Sequence, residues 1–302
     1  MAGIQVVTDS GSDIPPQLAK DLGITIVSLS VRFGNDEVVD TVSLTPDEFW
    51  SRCAALAAPA VPETAAPSPG AFQEAYLKAH EEGFEGVVVV TLSSEVSSTY
   101  QSALQAKELV ADKIPVEVVD SRNVSAGEGL VAIAAAEYSK SGASLEEVKK
   151  LADDVVDRTF GAVAVDTLEN LRRGGRISNG SAFVGSLLSI KPVVEVREGK
   201  IESESKHRTR GRSLDYLAQR VNNYGEFERF AFLNGGAKDF DVFKDKVLAQ
   251  RAIKDPIFAD IGPIIGTHLG LGAVGIAFTV APKGSDENKS SSADGEGSDS
   301  GK

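Results

Sequence analysis

The 302-residue sequence predicts an α/β protein made of two α/β domains, the first with a largely parallel sheet flanked by helices. Three observations carry that expectation. Strand-like and helix-like stretches alternate along the first half of the chain. Runs such as GVVVVTLS (86–93) are continuously apolar, as strands buried on both faces are. The length also exceeds what one hydrophobic core usually holds.

Taken in order, IQVVTDS (4–10) reads as a strand, PPQLAKDLG (15–23) as a helix stopped by Gly23, and ITIVSLSVRF (24–33) as a further strand. TPDEFWSRCAALA (45–57) has the marks of a helix start: Thr45 as cap, Pro46 at the first helical position and acids in the first turn. A Pro-rich loop, APAVPETAAPSPG (58–70), leads into a helix at 71–83. The valine strand follows, then a helix over 98–111, strand PVEVVDS (115–121), an Ala-rich helix over 128–142 and an amphipathic helix over 144–159. Strand AVAVDTL (162–168) opens the second part, and KPVVEVREGKIESESKHRTR (191–210) reads as a hairpin turning at Glu198-Gly199. The expected division is 1–156 and 157–282. A disordered acidic tail is expected over 283–302, which has no aromatic and no aliphatic larger than alanine.

Composition narrows the function. A formal charge of −13 disfavours nonspecific nucleic-acid binding. No apolar run approaches the roughly 18 residues of a membrane span, so no stable membrane insertion is expected. MAGIQVVTDS goes directly into a strand without a basic leader, which points to a cytoplasmic protein. Cys53 is the one cysteine, read as a free thiol on a helix face, and His80, His207 and His268 lack metal-ligand spacing. No cofactor is implied. GLGAVG (270–275) matches the dinucleotide fingerprint in form, but IAFTV follows it where a helix is required. The GxSxG elbow and the GxxxxGK[ST] loop are both absent from the sequence.

Two loops, TDSGSD (8–13) and TLSSEVSST (91–99), place hydroxyls after a strand and before a helix, where open parallel sheets bind ligands. Ser12, Ser93 and Ser94 suit capping or turn formation, while the surplus of hydroxyls around Ser97 suits an anion. LRRGGRIS (171–178) and KHRTRGR (206–212) concentrate arginine in an acidic chain. They read either as solvated basic faces or as sites for a carboxylate, a phosphate or an acidic partner protein. A Ser97–His268 nucleophile and base acting on an acyl or phosphoryl substrate is the alternative enzymatic reading.

TDS (8–10), TxxPSPG (64–70), SSxxSxTYQSA (93–103), LxNLxxGGRIS (168–178), RTR (208–210) and GxHxGxG (266–272) occur in one order. Together they resemble the DegV family of bacterial fatty-acid-binding proteins across residues 4–281. The resemblance implies two α/β domains, a long-chain fatty acid in a buried tunnel and its carboxylate at the domain junction. It also implies a non-catalytic acyl carrier to a separate fatty acid kinase subunit, in the service of phospholipid synthesis. On this resemblance Thr64, Ser97 and His268 are the ligand-binding residues, Arg176 is a structural or junction residue, and Arg208 faces the kinase. The chain departs from the family pattern at Ala65, Ala66, Glu95, Ser98 and Leu271. Of these, Glu95 would repel a carboxylate unless it points outward or pairs with a cation.

Overall fold

The computed structural model describes residues 3–40, 44–56, 61–178 and 190–282. The chain begins with β1 (Ile4–Asp9), α1 (Pro16–Leu22), β2 (Thr25–Val27), β3 (Ser30–Phe33), β4 (Asp36–Val39), α2 (Pro46–Ala55) and β5 (Glu63–Ala65). It continues through α3 (Pro69–Glu81), β6 (Gly86–Thr91), α4 (Thr99–Leu109), β7 (Val116–Asp120), α5 (Ala126–Ser139) and α6 (Leu145–Asp157). Strands β2, β1, β6 and β7 lie side by side in that order, all parallel. The valine run of β6 shows why it lacks alternation. Val87 and Val89 pack with Phe72, Tyr76 and Ala103 of α3 and α4, whereas Val88 and Val90 pack with Val131, Val148 and Ala152 of α5 and α6. Both faces are covered, so every position is apolar.

The second part comprises β8 (Thr159–Ala164), α7 (Glu169–Arg173), β9 (Lys191–Arg197), β10 (Lys200–His207), α8 (Arg210–Gln219) and β11 (Phe227–Gly235), then α9 (Phe240–Gln250), β12 (Ile257–Asp260), α10 (Pro263–Leu269) and β13 (Ala273–Val280). Its sheet runs β10-β9-β8-β13-β11-β12 and is antiparallel except at the β11–β12 edge. Helices α8 and α9 pack against Phe230, Phe232 and Ile276 on one face. The other face, with Val163, Val194, Leu233 and Ala277, shares a core with Leu29, Leu92, Leu130 and Ile264 from the rest of the chain. That shared core is where the two α/β units meet.

Expectations for individual elements met mixed outcomes. Thr45 caps α2 as the sequence suggested, and Glu48 completes a capping box with it. The β9–β10 hairpin turns at Glu198 and Gly199, with φ of 49° and 82°, the positive values a two-residue turn requires. Residues 24–33, however, do not form one strand. β2 ends at Val27 in the parallel sheet, and β3 enters a separate antiparallel sheet, β4-β3-β5. The break comes at Leu29, whose N–H is taken by the Ser10 hydroxyl at 3.0 Å instead of by a strand. The Pro-rich loop likewise contains β5, paired through Thr64 with Val31. Cys53 is partly buried against the shared core, and burial pushes its thiol up to about 11, so it is protonated. The expected acidic tail, 283–302, and part of the stretch after GGRIS lie outside the described residues.

Candidate functional site

A cavity of about 250 Å³ opens between the two units, lined by residues that include Thr64, Ala65, Ser97, Ser98, Arg176 and His268. They arrive on four separate segments. Thr64 lies on edge strand β5, Ser97 and Ser98 on the turn between β6 and α4, Arg176 after α7, and His268 on α10. The floor is aliphatic: Leu29, Leu92, Val96, Val124, Ile201, Ile264 and Leu269. Val124, Ile201 and Leu269 also line a narrow second space, whose other walls include Gly161, Ala162, Val163, Val194, Leu233 and Ala277. The polar groups therefore ring one end of an apolar path that leads inward over the second sheet.

At that polar end, Thr64 Oγ1 and His268 Nε2 lie 3.0 Å apart, joining residues 204 positions distant in the chain. Among the described residues His268 Nδ1 has no hydrogen-bond partner, and it is buried. Its proton affinity falls to about 4, chiefly because burial disfavours the cation and then because Arg176 is close. The ring is thus neutral at pH 7. Gly174 makes room for it, since a Cβ there would stand 2.5 Å from Nδ1. Arg176 donates from Nε to the carbonyl of Val96 at 3.2 Å and from Nη1 to that of Gly174. It thereby fastens the GGRIS segment to the serine turn, as a junction residue would, while lining the cavity itself.

The serines divide their labour. Ser93 accepts the Glu95 N–H at 3.3 Å, a turn role, and also donates to the distant Gly199 carbonyl at 2.8 Å, whereas Ser94 bonds Asp120 at the end of β7 instead of forming a cap or turn. Ser12 donates to the Asp9 carbonyl at 2.8 Å, again within a turn. Ser97 Oγ lies 2.8 Å from Thr99 Oγ1 and accepts the Thr99 N–H at the first residue of α4, while facing the cavity; the cap position itself is Ser98, which makes no side-chain cap bond. Glu95 is not among the cavity-lining residues. It turns outward to Lys200, with 3.6 Å between the charges, which removes the repulsion its position suggested. Arg208 is exposed on the bend after β10, contributes nothing to the cavity and makes no ion pair among the described residues.

Sequence reasoning missed the apolar floor and a buried acid cluster beneath it. Asp9, Asp40 and Glu128 are inaccessible or nearly so and Asp13 is partly buried; loss of solvation raises Asp9 to about 6 and holds Asp13 and Glu128 well above the usual carboxylate range. A signal for one of them was available. Glu128 is an acid inside a helix whose residues from Ala126 to Ala136 are otherwise small or apolar and wholly buried. No group of acidic, histidine or cysteine side chains among the described residues is arranged to hold a metal ion.

The profile of the uncharacterised-protein family DegV matches residues 3–281. The chain belongs to the DegV family. A DegV domain-containing protein of Clostridium perfringens is 31% identical over 283 residues, 90% of this chain and 96% of its own. One from Halalkalibacterium halodurans is 32% identical over 284 residues, 93% and 99% respectively. Among solved structures, a fatty-acid-binding DegV family protein from Thermus thermophilus superimposes with a TM-score of 0.84 at 31% identity, covering 92% of this chain and all of the other. The DegV fatty-acid-binding protein of Bacillus subtilis gives 0.81 at 28% identity, covering 93% and 100%. A stearic-acid-binding protein from Eubacterium ventriosum gives 0.84 at 25%, covering 93% and 98%. These DegV neighbours share the fold of two α/β units around a junction.

Proposed function

We propose that this chain binds a long-chain fatty acid, with its carboxylate among Thr64, Ser97 and His268 and its acyl tail along the aliphatic path behind them. The observation that carries the reading is the asymmetry of the cavity. Hydroxyls, a neutral imidazole and one guanidinium gather at one end, and the remaining walls are mainly Leu, Ile, Val and Ala, with Gly161, Ser125 and Glu195 also bordering the inner space. Hydrogen bonds to a carboxylate contribute about 1.5–3 kcal/mol each. Each buried methylene contributes about 0.8 kcal/mol before ordering costs, so the tail dominates affinity and the polar end sets orientation. The fatty-acid-binding relatives support the same reading.

The second part of the proposal is that the chain acts as an acyl carrier in the cytoplasm. It presents the carboxylate to a separate kinase subunit, which converts it to an acyl phosphate for phospholipid synthesis, with exposed Arg208 on the partner's side. We place the division between the two domains at 156–157, where α6 ends at Asp157 and β8 begins at Thr159. The enzymatic alternative finds less support. Ser97 and His268 do not hydrogen-bond each other, and no carboxylate among the described residues orients His268 Nδ1. A histidine that protonates only near 4 is also a weak base for a serine hydroxyl.

Mass spectrometry of lipid extracted from purified protein tests the binding step. A fatty acid should accompany the wild type and be depleted severalfold in Ser97→Ala and Thr64→Val. Recovery of none from any preparation, together with turnover of acyl esters, would reverse the choice between carrier and enzyme. Loaded protein, ATP and a candidate kinase should then give a hydroxylamine-trappable acyl phosphate, and the yield should drop in Arg208→Glu.

A further inference from the structure

The turn TDSGSD (8–13) contributes no residue to the cavity, yet its side chains reach three of the segments that do. Asp9 accepts the N–H of Gly11 at 2.9 Å through one oxygen and that of Leu92 at 2.9 Å through the other. Leu92 lines the cavity and begins the turn that carries Ser97. Ser10 accepts the N–H of Leu29, another wall residue, at 3.0 Å. Asp13, held at φ 50°, accepts the N–H of Gly262 at 3.0 Å and the hydroxyl of Ser125. Gly262 immediately precedes α10, which brings Ile264, Ile265, His268 and Leu269 to the site, and Ser125 follows wall residue Val124. The amides of Leu29, Leu92 and Gly262 belong to no helix or strand, so these side chains supply the partners that regular structure does not.

We infer that Asp9, Ser10 and Asp13 are positioning residues of the binding site, a hub that sets the serine turn, the Leu29 wall and the His268 helix relative to one another. The geometry favours this over a simple local turn. A local turn satisfies its own backbone, whereas here three side chains bond amides 19, 83 and 249 residues away. Asp9, Ser10 and Ser12 are at 4% exposure or less, so solvent does not compete for the Asp9 and Ser10 acceptors, while Asp13 is partly buried. Asp13 joins the parallel-sheet unit to the unit bearing α10, and the position of the His268 ring relative to Thr64 depends on that join.

The ligand readout of the test rests on the fatty-acid reading; the spectroscopic readout does not. In ligand-free protein, Asp13→Ala should shift the ring resonances of His268 while those of His80 and His207 stay in place. Asp13→Asn, which keeps a carbonyl oxygen for the Gly262 N–H, should restore most of the wild-type position. Stearate affinity should fall about tenfold in Asp13→Ala, the effect of losing one hydrogen bond, and stay within about threefold in Asp13→Asn. A lower melting temperature with unmoved His268 resonances and unchanged stearate affinity would reduce Asp13 to a structural residue and overturn the inference. If stearate fails to bind even wild type, the lipid reading falls while the His268 resonances still judge the hub. Should Asp13→Ala not fold, hydrogen exchange in wild-type protein decides: the amides of Leu29, Leu92 and Gly262 should exchange as slowly as those of β1 and β6. Loop-like exchange at any of them overturns the hub.

Discussion

His268 shows how a neutral side chain can organise an anion site. Its Nδ1 faces Gly174 without a hydrogen-bond partner among the described residues, and a buried N–H left unmet costs more than a buried acceptor left unmet. The proton therefore belongs on Nε2, where Thr64 Oγ1 accepts it at 3.0 Å, and the threonine hydroxyl is then free to donate into the cavity. The imidazole orients a donor without adding charge, and Arg176 supplies the cation. A ligand carboxylate placed against Thr64 would favour the imidazolium. We expect the His268 pKa, about 4 in the empty protein, to rise by about one unit or more on adding stearate, as read by NMR titration of the ring protons. A value that stays or falls would place the carboxylate elsewhere. Thr64 and His268 could not have been joined by spacing or periodicity, since 204 residues separate them. Only the resemblance brought them together, whereas Ser97 stood out by itself as a hydroxyl in excess of capping needs.

Among the elements, legibility follows the range of the forces involved. The β6 valines, the Thr45 cap and the Glu198-Gly199 turn are local signals and form where the residues say. The split between β2 and β3 is not local. Both halves read as strand, Ile24–Val27 by its β-branched residues and Ser30–Phe33 by alternation, and a distant serine, Ser10, decides where the strand stops. Thr64 read as loop for a similar reason: prolines flank it, but pairing with β3 makes it a strand. The β9–β10 hairpin gives the element-scale prediction, because its tip braces the serine turn. The Gly199 carbonyl accepts the Ser93 hydroxyl, and a Cβ on Gly199 would stand 2.6 Å from that same oxygen at a φ of 82°. Gly199→Ala should therefore cost about 1–2 kcal/mol of stability and weaken stearate binding by displacing the turn that holds Ser97. Glu95→Gln beside it breaks only an ion pair about half exposed on each side, and should change stability by less than about 0.5 kcal/mol. Urea denaturation and a stearate titration of both variants would separate the effects; equal behaviour would deny the hairpin tip its bracing role.

Across the whole molecule, the buried titratable groups at the junction make stability depend on pH in two opposed ways. His268 takes up a proton near 6.5 in the unfolded chain but only near 4 when folded. Between those values unfolding binds a proton, so this group makes stability rise with pH, by roughly 3 kcal/mol at most. Asp9 does the reverse. The folded protein keeps its proton up to about pH 6, whereas the unfolded chain releases it near 3.8, so stability falls as pH rises through that window, also by roughly 3 kcal/mol. Asp13 and Glu128 are displaced in the same direction as Asp9 by the same loss of solvation. Between about pH 4 and 6 the wild type therefore carries a rising slope from His268 set against a falling one to which Asp9, Asp13 and Glu128 all contribute. His268→Gln keeps a side-chain group for Thr64 while removing the rising slope, and leaves the falling one exposed. Chemical denaturation at pH 4.5, 5.5 and 6.5 should show the stability gap between wild type and His268→Gln widening in favour of wild type as pH increases. Parallel profiles would mean that His268 titrates alike in the folded and unfolded protein, and that the cavity wall around it is wetter than its packing against Gly174 and Arg176 implies.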